Sequence, residues 1–483
     1  MKKQFFILIF FIGFHFFFAQ TGWQPISSFG TNPGNLNMYA YIPTGISSTA
    51  PLVVALHGCT QNAVTYATET GWNTLADRHK FYVIYAEQNS ANNSSNCFNW
   101  FQSGDQDRNQ GEAYSVKQMV DHMKSNFSID TTRIFVTGLS AGGAMTSVMM
   151  ACYPDVFSKG AVMAGTPYKS ATNASQALNA MNGFVTNTPA NWATLVTNAF
   201  PSYSGNYPAL AVFHGSNDNV VNIANENELM KQWTQVQGTD QTSDITVNSF
   251  NGNAFVTKNI YNNNAGIPAV ETFVISGMPH GIALDTGTCY QQCGKTGTYS
   301  YEVLLSSTFF AAYFFDIVTP PYSISGPASV TSSQSGVSYS VTATSGSTYA
   351  WTVPAGASIA SGQGTNQISV NFGTNSGYVE VTETQSNNCK NGPVNLYVSV
   401  GINEIISQVK DAIEIVQHNG NLIVKSKSNE MIELTICDLM GRVVLDRRAT
   451  TNELIDLNEY NGLYVAVVKT KNCNFTKKLL VQH

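Results

Sequence analysis

Between about residues 36 and 316 the chain alternates short apolar runs with segments of helical periodicity, and no other feature constrains its fold as strongly. PLVVALHG, FYVIYAE, RIFVTG, GAVMAG, ALAVFHG and VETFVISG each have the length of one buried strand, and several end at glycine. Between them, Val116, Met119, Val120, Met123 and Phe127 recur at the spacing of one helix face, and Glu228 to Val236 suit another helix. Strands apolar on both faces need cover on both, which predicts an α/β fold with a mostly parallel sheet between helices. In such sheets ligands meet the carboxyl ends of the strands.

At DIVTPPYSISGPASV the texture changes, because Pro320 and Pro321 stop the last helix and Ser, Thr and Gly become abundant. VSYSVTA, TYAWTVP, QISVNFG, GYVEVTET and VNLYVSV predict a small β-sandwich over 322–401, with Trp351 in its core. From residue 402 the charge density rises, and GNLIVKS, IELTICDLMGRVVL and GLYVAVVKT predict a second small β domain over 402–483. At the other end, Lys2 and Lys3 precede an apolar run from Phe5 to Phe18 that closes at Ala19. The run is shorter than the ~20 residues of a spanning helix, so residues 1–19 are expected to be a signal peptide, followed by the α/β domain over 20–318.

Only 11% of residues are charged and the net charge is −6, so no basic stripe is available to follow a phosphate backbone, which argues against nucleic acid as a partner. No later segment is long and apolar enough to suggest a transmembrane helix in the mature chain. The eight cysteines of an exported chain are free to pair. Cys289 and Cys293, in CYQQCG, form the expected local bridge, and Cys97 is a candidate partner for Cys59. Neither a histidine nor a second CxxC accompanies the CYQQCG pair, so no metal site is expected there.

The stretch TGLSAGGAM sets one serine, Ser140, between glycines at the junction of a predicted strand and a predicted helix. Gly138 to Gly142 spell G-x-S-x-G, a pattern in which a sharp turn lifts the hydroxyl above the sheet. A serine hydroxyl is a poor nucleophile until a base takes its proton, and an acid must hold that base in the correct tautomer. On this type of sheet they follow the serine in the order acid, then histidine. His280, in the loop SGMPHGIAL after a predicted strand, is the expected base, and Asp218, in the loop after ALAVFHG, is the expected acid. His214 is read as a hydrogen-bonding residue at a strand end. Asp155, Asp240 and Asp244 are the rival acids, Asp155 falling at a helix stop and the other two in a polar insertion.

Attack on an ester carbonyl creates an alkoxide that needs donors. The backbone N–H groups of Ala141, directly after the nucleophile, and of Cys59, in LHGCTQ, are the expected oxyanion hole. Trp100 and Phe98, in NCFNWF, and Gln61 are the candidate substrate contacts. Arg108 and Glu112 stand four apart and suggest an architectural ion pair.

LHGCTQ, NCFNWF, RNQGEAYSVKQMVD and TTRIFVTGLSAGGAMTSVMMACYPDVF, followed by FHGSNDNVV and MPHG, resemble the polyhydroxybutyrate depolymerase-type esterases, which include feruloyl and acetylxylan esterases. The resemblance spans roughly residues 30 to 316. It implies an α/β-hydrolase with Ser140, Asp218 and His280 as its triad. The segment ALDTGTCYQQCG departs from the Trp-Pro-Gly-like stretch of many relatives. The middle domain resembles PKD-like modules, and the last resembles the sorting domains of type IX secretion, which implies that machinery as a partner and an extracellular or cell-surface location.

Together these features predict a secreted serine esterase without cofactors. Its expected substrates are polymer-linked esters, with feruloyl or acetyl groups of plant polysaccharide favoured and polyhydroxybutyrate or a short-chain polyester as the alternative. An inert surface adhesin is the alternative of another class, distinguishable by its failure to react with a fluorophosphonate.

Overall fold

A computed structural model describes residues 21–46, 48–263, 266–401, 413–418, 421–426, 431–438, 443–451, 453–457, 462–469 and 474–481. The expected signal peptide lies outside the described residues. One compact unit reaches to Gly401, and a second runs from Ile402 to His483.

The first unit is built on a ten-stranded sheet. Its strands are β1 Gly22–Ile26, β2 Asn37–Ile42, β3 Ala50–Leu56, β4 Tyr82–Glu87, β5 Ile129–Leu139, β6 Lys159–Met163, β7 Ala209–Gly215, β8 Ile245–Asn248, β9 Val256–Asn262 and β10 Pro268–Ile275. They lie in the order β1-β2-β4-β3-β5-β6-β7-β10-β9-β8. The six central strands from β4 to β10 run parallel, and the outer four are antiparallel. Parallel neighbours need crossovers, which here are helices: α1 Ala63–Thr70, α2 Trp72–His79, α3 Gly111–Asn126, α4 Ala141–Cys152, α5 Ala174–Met181, α6 Pro189–Ala199 and α7 Ala224–Val236.

Successive side chains of a strand point to opposite faces, so β3 divides its apolar run between two cores. Leu52, Val54 and Leu56 join Val116, Met119, Met145 and Trp233 from α3, α4 and α7. Val53 and Ala55 join Trp72, Leu75 and, from α8 (Ser307–Phe314), Phe309 and Phe310. This division explains why the central strands are apolar without alternation. After β10 come two short parallel strands, β11 Ile282–Leu284 and β12 Ser300–Glu302.

Beyond α8, seven strands form a sandwich: β13 Ser329–Thr331, β14 Val337–Ser340, β15 Thr348–Thr352, β16 Ser358–Ser361, β17 Gln367–Asn371, β18 Gly377–Thr384 and β19 Lys390–Gly401. One sheet is β13-β19-β18-β15 and the other is β14-β17-β16. Trp351 is buried between them, and its indole N–H donates to Thr365 O at 2.8 Å. In the second unit, three-stranded and four-stranded sheets enclose a core that includes Leu422, Leu434, Ile455 and Val468.

The disulfides depart in part from the local reading. Cys59 is bonded to Cys97, but Cys289 is bonded to Cys389 in the sandwich, and Cys293 is a buried free thiol. Cys293 instead packs in the second core, where its Sγ lies 3.1 Å from Ser306 Oγ.

Candidate active site

β5 ends at Leu139 and α4 begins at Ala141, so Ser140 alone turns the chain from strand to helix, at φ 58° and ψ −117°. Holding an L-residue there costs about 1–3 kcal/mol. A Cβ on Gly138 would lie 2.3 Å from Gly142 O, and one on Gly142 would lie 2.2 Å from Leu56 O. Only glycine fits on either side of the turn. The N–H of Ser140 donates to Met163 O at 2.9 Å, which ties the turn to the end of β6.

The register across the sheet sets the other two residues at the same edge. Leu139 pairs with Met163, Met163 with Phe213, and Phe213 with Phe273. Just beyond that row, the loop after β7 carries Asp218 and the loop after β10 carries His280. Asn217 N–H donates to Met278 O at 3.1 Å, and a Cβ on Gly215 would lie 2.2 Å from the same oxygen. The His280 loop therefore folds back from β10 over the end of β7, towards the β5 side of the sheet.

Asp218 Oδ2 lies 2.7 Å from His280 Nδ1 and 3.3 Å from His214 Nε2. Its Oδ1 accepts the N–H groups of Val220 at 2.9 Å and Val221 at 2.8 Å. Burial pushes the Asp218 carboxyl up, but the bonds from His214, His280 and Val220 outweigh it and hold the group well below the usual carboxylate range. Asp218 is thus a carboxylate at neutral pH and accepts from His280 Nδ1–H. In the neutral form of the ring, a proton on Nδ1 leaves Nε2 as the acceptor nitrogen. His214 has no exposed surface and lies 2.8 Å through Nε2 from Val221 O, in keeping with its reading as a strand-end hydrogen-bonding residue.

Ala141 supplies the first N–H of α4, and the first turn of a helix has no carbonyl of its own to bond. The loop bearing Cys59 runs beside this turn: a Cβ on Gly58 would sit 3.4 Å from Leu139 O. Several groups fix that loop. His57 lies 2.7 Å through Nδ1 from Gly58 O and accepts Gln88 N–H at Nε2 at 3.0 Å. Burial, opposed by Gly58 O and Glu87, lowers the His57 pKa and keeps the ring neutral. Gln61 Oε1 accepts Gly58 N–H at 2.9 Å, Thr60 N–H donates to Ser95 O at 2.7 Å, and Cys59 is bonded to Cys97.

The candidate substrate contacts divide. Trp100 is 6% exposed, with Phe101 edge-on at 5.5 Å. Gln61 spends its side chain on Gly58 and, at 3.3 Å, on Glu69 Oε2, so it shapes the loop. Phe98 is fully buried with its ring 5.0 Å from that of His57, so it has no surface to offer a substrate. Aromatic spacing in the sequence does not tell the wall of a cleft from its floor.

The Arg108–Glu112 pair is also corrected. Arg108 forms a two-pronged bond to Asp155 at 2.8 and 2.7 Å, which removes Asp155 from the rival acids. Glu112 is turned inward, where it accepts Asn99 N–H at 2.7 Å, Asn99 Nδ2 at 2.8 Å and the Gln88 amide. Burial, with Asp105 nearby and against those donors, pushes its carboxyl up to about 8. Asp244 is likewise used elsewhere, accepting Asn262 N–H at 2.6 Å. Sequence reasoning did not single out Gln88 or Glu69, and it missed the roles of His57, within LHGCTQ, and Glu112, within RNQGEAYSVKQMVD, because these depend on Gln88 and Asn99, 31 and 13 positions away.

A parallel sheet that carries a strained serine between strand and helix, with a carboxylate–imidazole pair at the same edge, has the arrangement of a serine hydrolase. Residues 36–249 match the Esterase PHB depolymerase family model, residues 317–400 a PKD-like domain, and residues 417–482 a secretion system C-terminal sorting domain. Poly(3-hydroxyalkanoate) depolymerase C of Paucimonas lemoignei is 49% identical over 295 residues, covering 61% of this chain and 70% of that protein. Feruloyl esterase B of Talaromyces stipitatus is 35% identical over 279 residues, covering 56% and 75%. An acetyl xylan esterase structure from Aspergillus awamori aligns with a TM-score of 0.50 at 28% identity, covering 54% of this chain and 94% of that one.

The chain belongs to the polyhydroxybutyrate depolymerase-type esterase family. It is a serine esterase, and its sorting domain marks it for type IX secretion, to the cell surface or the medium. Among the described residues no helix is long and apolar enough to cross a membrane.

Proposed function

We propose that Ser140 is the nucleophile of this esterase, His280 its general base and Asp218 the acid that orients the base, with the N–H groups of Ala141 and Cys59 as the oxyanion hole. The bond between Asp218 and His280 is the observation that carries the assignment. In the proposed cycle, His280 Nε2 takes the hydroxyl proton as Ser140 Oγ attacks the ester carbonyl. The tetrahedral oxyanion collapses to an acyl-enzyme as the alcohol leaves with a proton from His280. Water, activated by the same imidazole, then releases the acid and restores Ser140. Each oxyanion donor is expected to contribute about 10²–10³ in rate.

The substrate is an ester carried on a polymer, and two readings rest on different observations. A 3-hydroxyalkanoate polyester is favoured by the 49% identity to the Paucimonas depolymerase. Exposed apolar side chains support it: Val220 lies two residues from Asp218, Val64 is in the first turn of α1, and Phe255 precedes β9 where that strand meets the end of β10. Feruloyl or acetyl groups on plant polysaccharide are favoured by the relatives named feruloyl esterase and acetylxylan esterase. Hydrolysis of poly(3-hydroxybutyrate), methyl ferulate and acetylated xylan by the same preparation separates the two. Turnover of none of these, together with no labelling by a fluorophosphonate, would overturn the proposal.

A further inference from the structure

Between β11 and β12 the chain makes an excursion over residues 285–299, rich in Gly, Thr and Gln and without regular structure, with Tyr290 and Cys293 as its apolar anchors on the second core. Its exit is fastened to the chain beside His280. Ile282 pairs with Ser300 and Leu284 with Glu302, and Ile282 N–H donates to Tyr299 O at 2.8 Å. A Cβ on Gly281 would lie 2.4 Å from Tyr299 O, and the Tyr299 ring stands edge-on to the His280 imidazole at 6.2 Å. The position of His280 therefore depends on where the excursion returns.

Two bodies hold that excursion. From the α/β domain, Glu69 O accepts Lys295 N–H at 3.0 Å, Glu69 Oε2 accepts Ser300 Oγ–H at 2.9 Å, and Arg78 donates to Cys289 O at 3.3 Å. From the sandwich, Cys389 is disulfide-bonded to Cys289, and Gly392 O accepts the Gln291 amide at 2.9 Å. Asn251 closes the circuit by donating to Gln291 Oε1 at 2.8 Å, while its own carbonyl accepts Lys390 Nζ. These sandwich contacts fall on Cys289 and Gln291, on either side of Tyr290, whose ring packs edge-on against Phe309 at 5.4 Å and whose hydroxyl donates to Thr319 O at 2.6 Å.

We infer that the PKD-like sandwich is a positioning element for this esterase: Cys389 and Gly392 hold the 285–299 excursion, and through β12 the excursion holds His280 over the nucleophile. The inference rests on the reading of His280 as the base. Misplacement of a catalytic group by about 1 Å can cost on the order of 10² in rate, so an anchor outside the α/β domain can govern turnover without touching substrate.

The test uses full-length chains: the double variant Cys289→Ser with Cys389→Ser, and Gln291→Ala, which keeps the disulfide. Each is assayed on a soluble p-nitrophenyl ester, with active sites counted by a fluorophosphonate so that rates refer to folded enzyme. The expected result is a fall in kcat of about tenfold for the double variant and about threefold for Gln291→Ala, with KM nearly unchanged and phosphonylation of Ser140 by the fluorophosphonate slowed in proportion. An unchanged kcat per titrated site with only a lower melting temperature would overturn the inference, as would a rise in KM alone, which would make the sandwich a substrate-binding module. If the double variant does not fold, Gln291→Ala decides. Failure of the underlying reading looks different: Ser140→Ala would keep its activity, or the wild type would resist the fluorophosphonate.

Discussion

His280 Nδ1 and Asp218 Oδ2 meet at 2.7 Å although 62 positions separate them in the chain. Each sits on a loop leaving the carboxyl end of a neighbouring strand, and the parallel pairing of β7 with β10 brings the two loops together. Replacing the carboxylate by an amide keeps the shape but offers a donor or a weaker acceptor to the imidazole. Asp218→Asn is therefore expected to lower kcat by about 10³–10⁴ with a small change in KM, measured on a soluble ester.

The strained backbone of Ser140 separates catalysis from stability. Ser140→Ala and Ser140→Gly should both lose essentially all ester hydrolysis. Glycine, however, tolerates the positive φ that alanine does not. The glycine variant should be more stable than the alanine variant by about 1 kcal/mol, read as the difference in their denaturation midpoints.

Gly142 meets the carbonyl oxygen of Leu56 with no room for a methyl group. Gly142→Ala must push α4 away from β3, or fail to fold. Expected is a loss of several kcal/mol in chemical denaturation, or insoluble expression, with any folded remainder poorly active.

Glu112 links pH to the stability of the segment running from Gln88 to Asn99. Its folded pKa, about 8, lies above the ordinary carboxyl value of 4.5. The native state thus holds this proton more tightly than the unfolded chain does. The stability it contributes is full below about pH 4.5 and is lost as pH rises towards 8. Glu112→Gln, which cannot ionise, should flatten the pH dependence of the melting temperature between about 5 and 8. An identical slope in wild type and variant would show that other groups set it.

Much of this architecture is legible in the sequence because it follows from local pattern. PLVVALHG and ALAVFHG can only be strands covered on both faces, and TGLSAGGAM marks the turn from strand to helix. Ser140, Asp218 and His280 stand out because their residue types, their order and their places after strands agree. Three features escape such reading, each for a physical reason. Glu112 and Arg108 face apart because Asp155 and Asn99, remote in sequence, compete for them. Cys289 bypasses Cys293, four residues away, for Cys389, 100 residues on, because Cys293 points into the core beside Ser306. Phe98 looks like a lining aromatic, yet the ring of His57 covers it.

The bridge between Cys59 and Cys97 also bears on when this catalyst becomes active. Such bonds persist where thiols are oxidised and are rare in the reducing cytosol. The loop bearing Cys59, proposed above to supply an oxyanion donor, is therefore expected to gain its bridge only once the chain has left the cytosol.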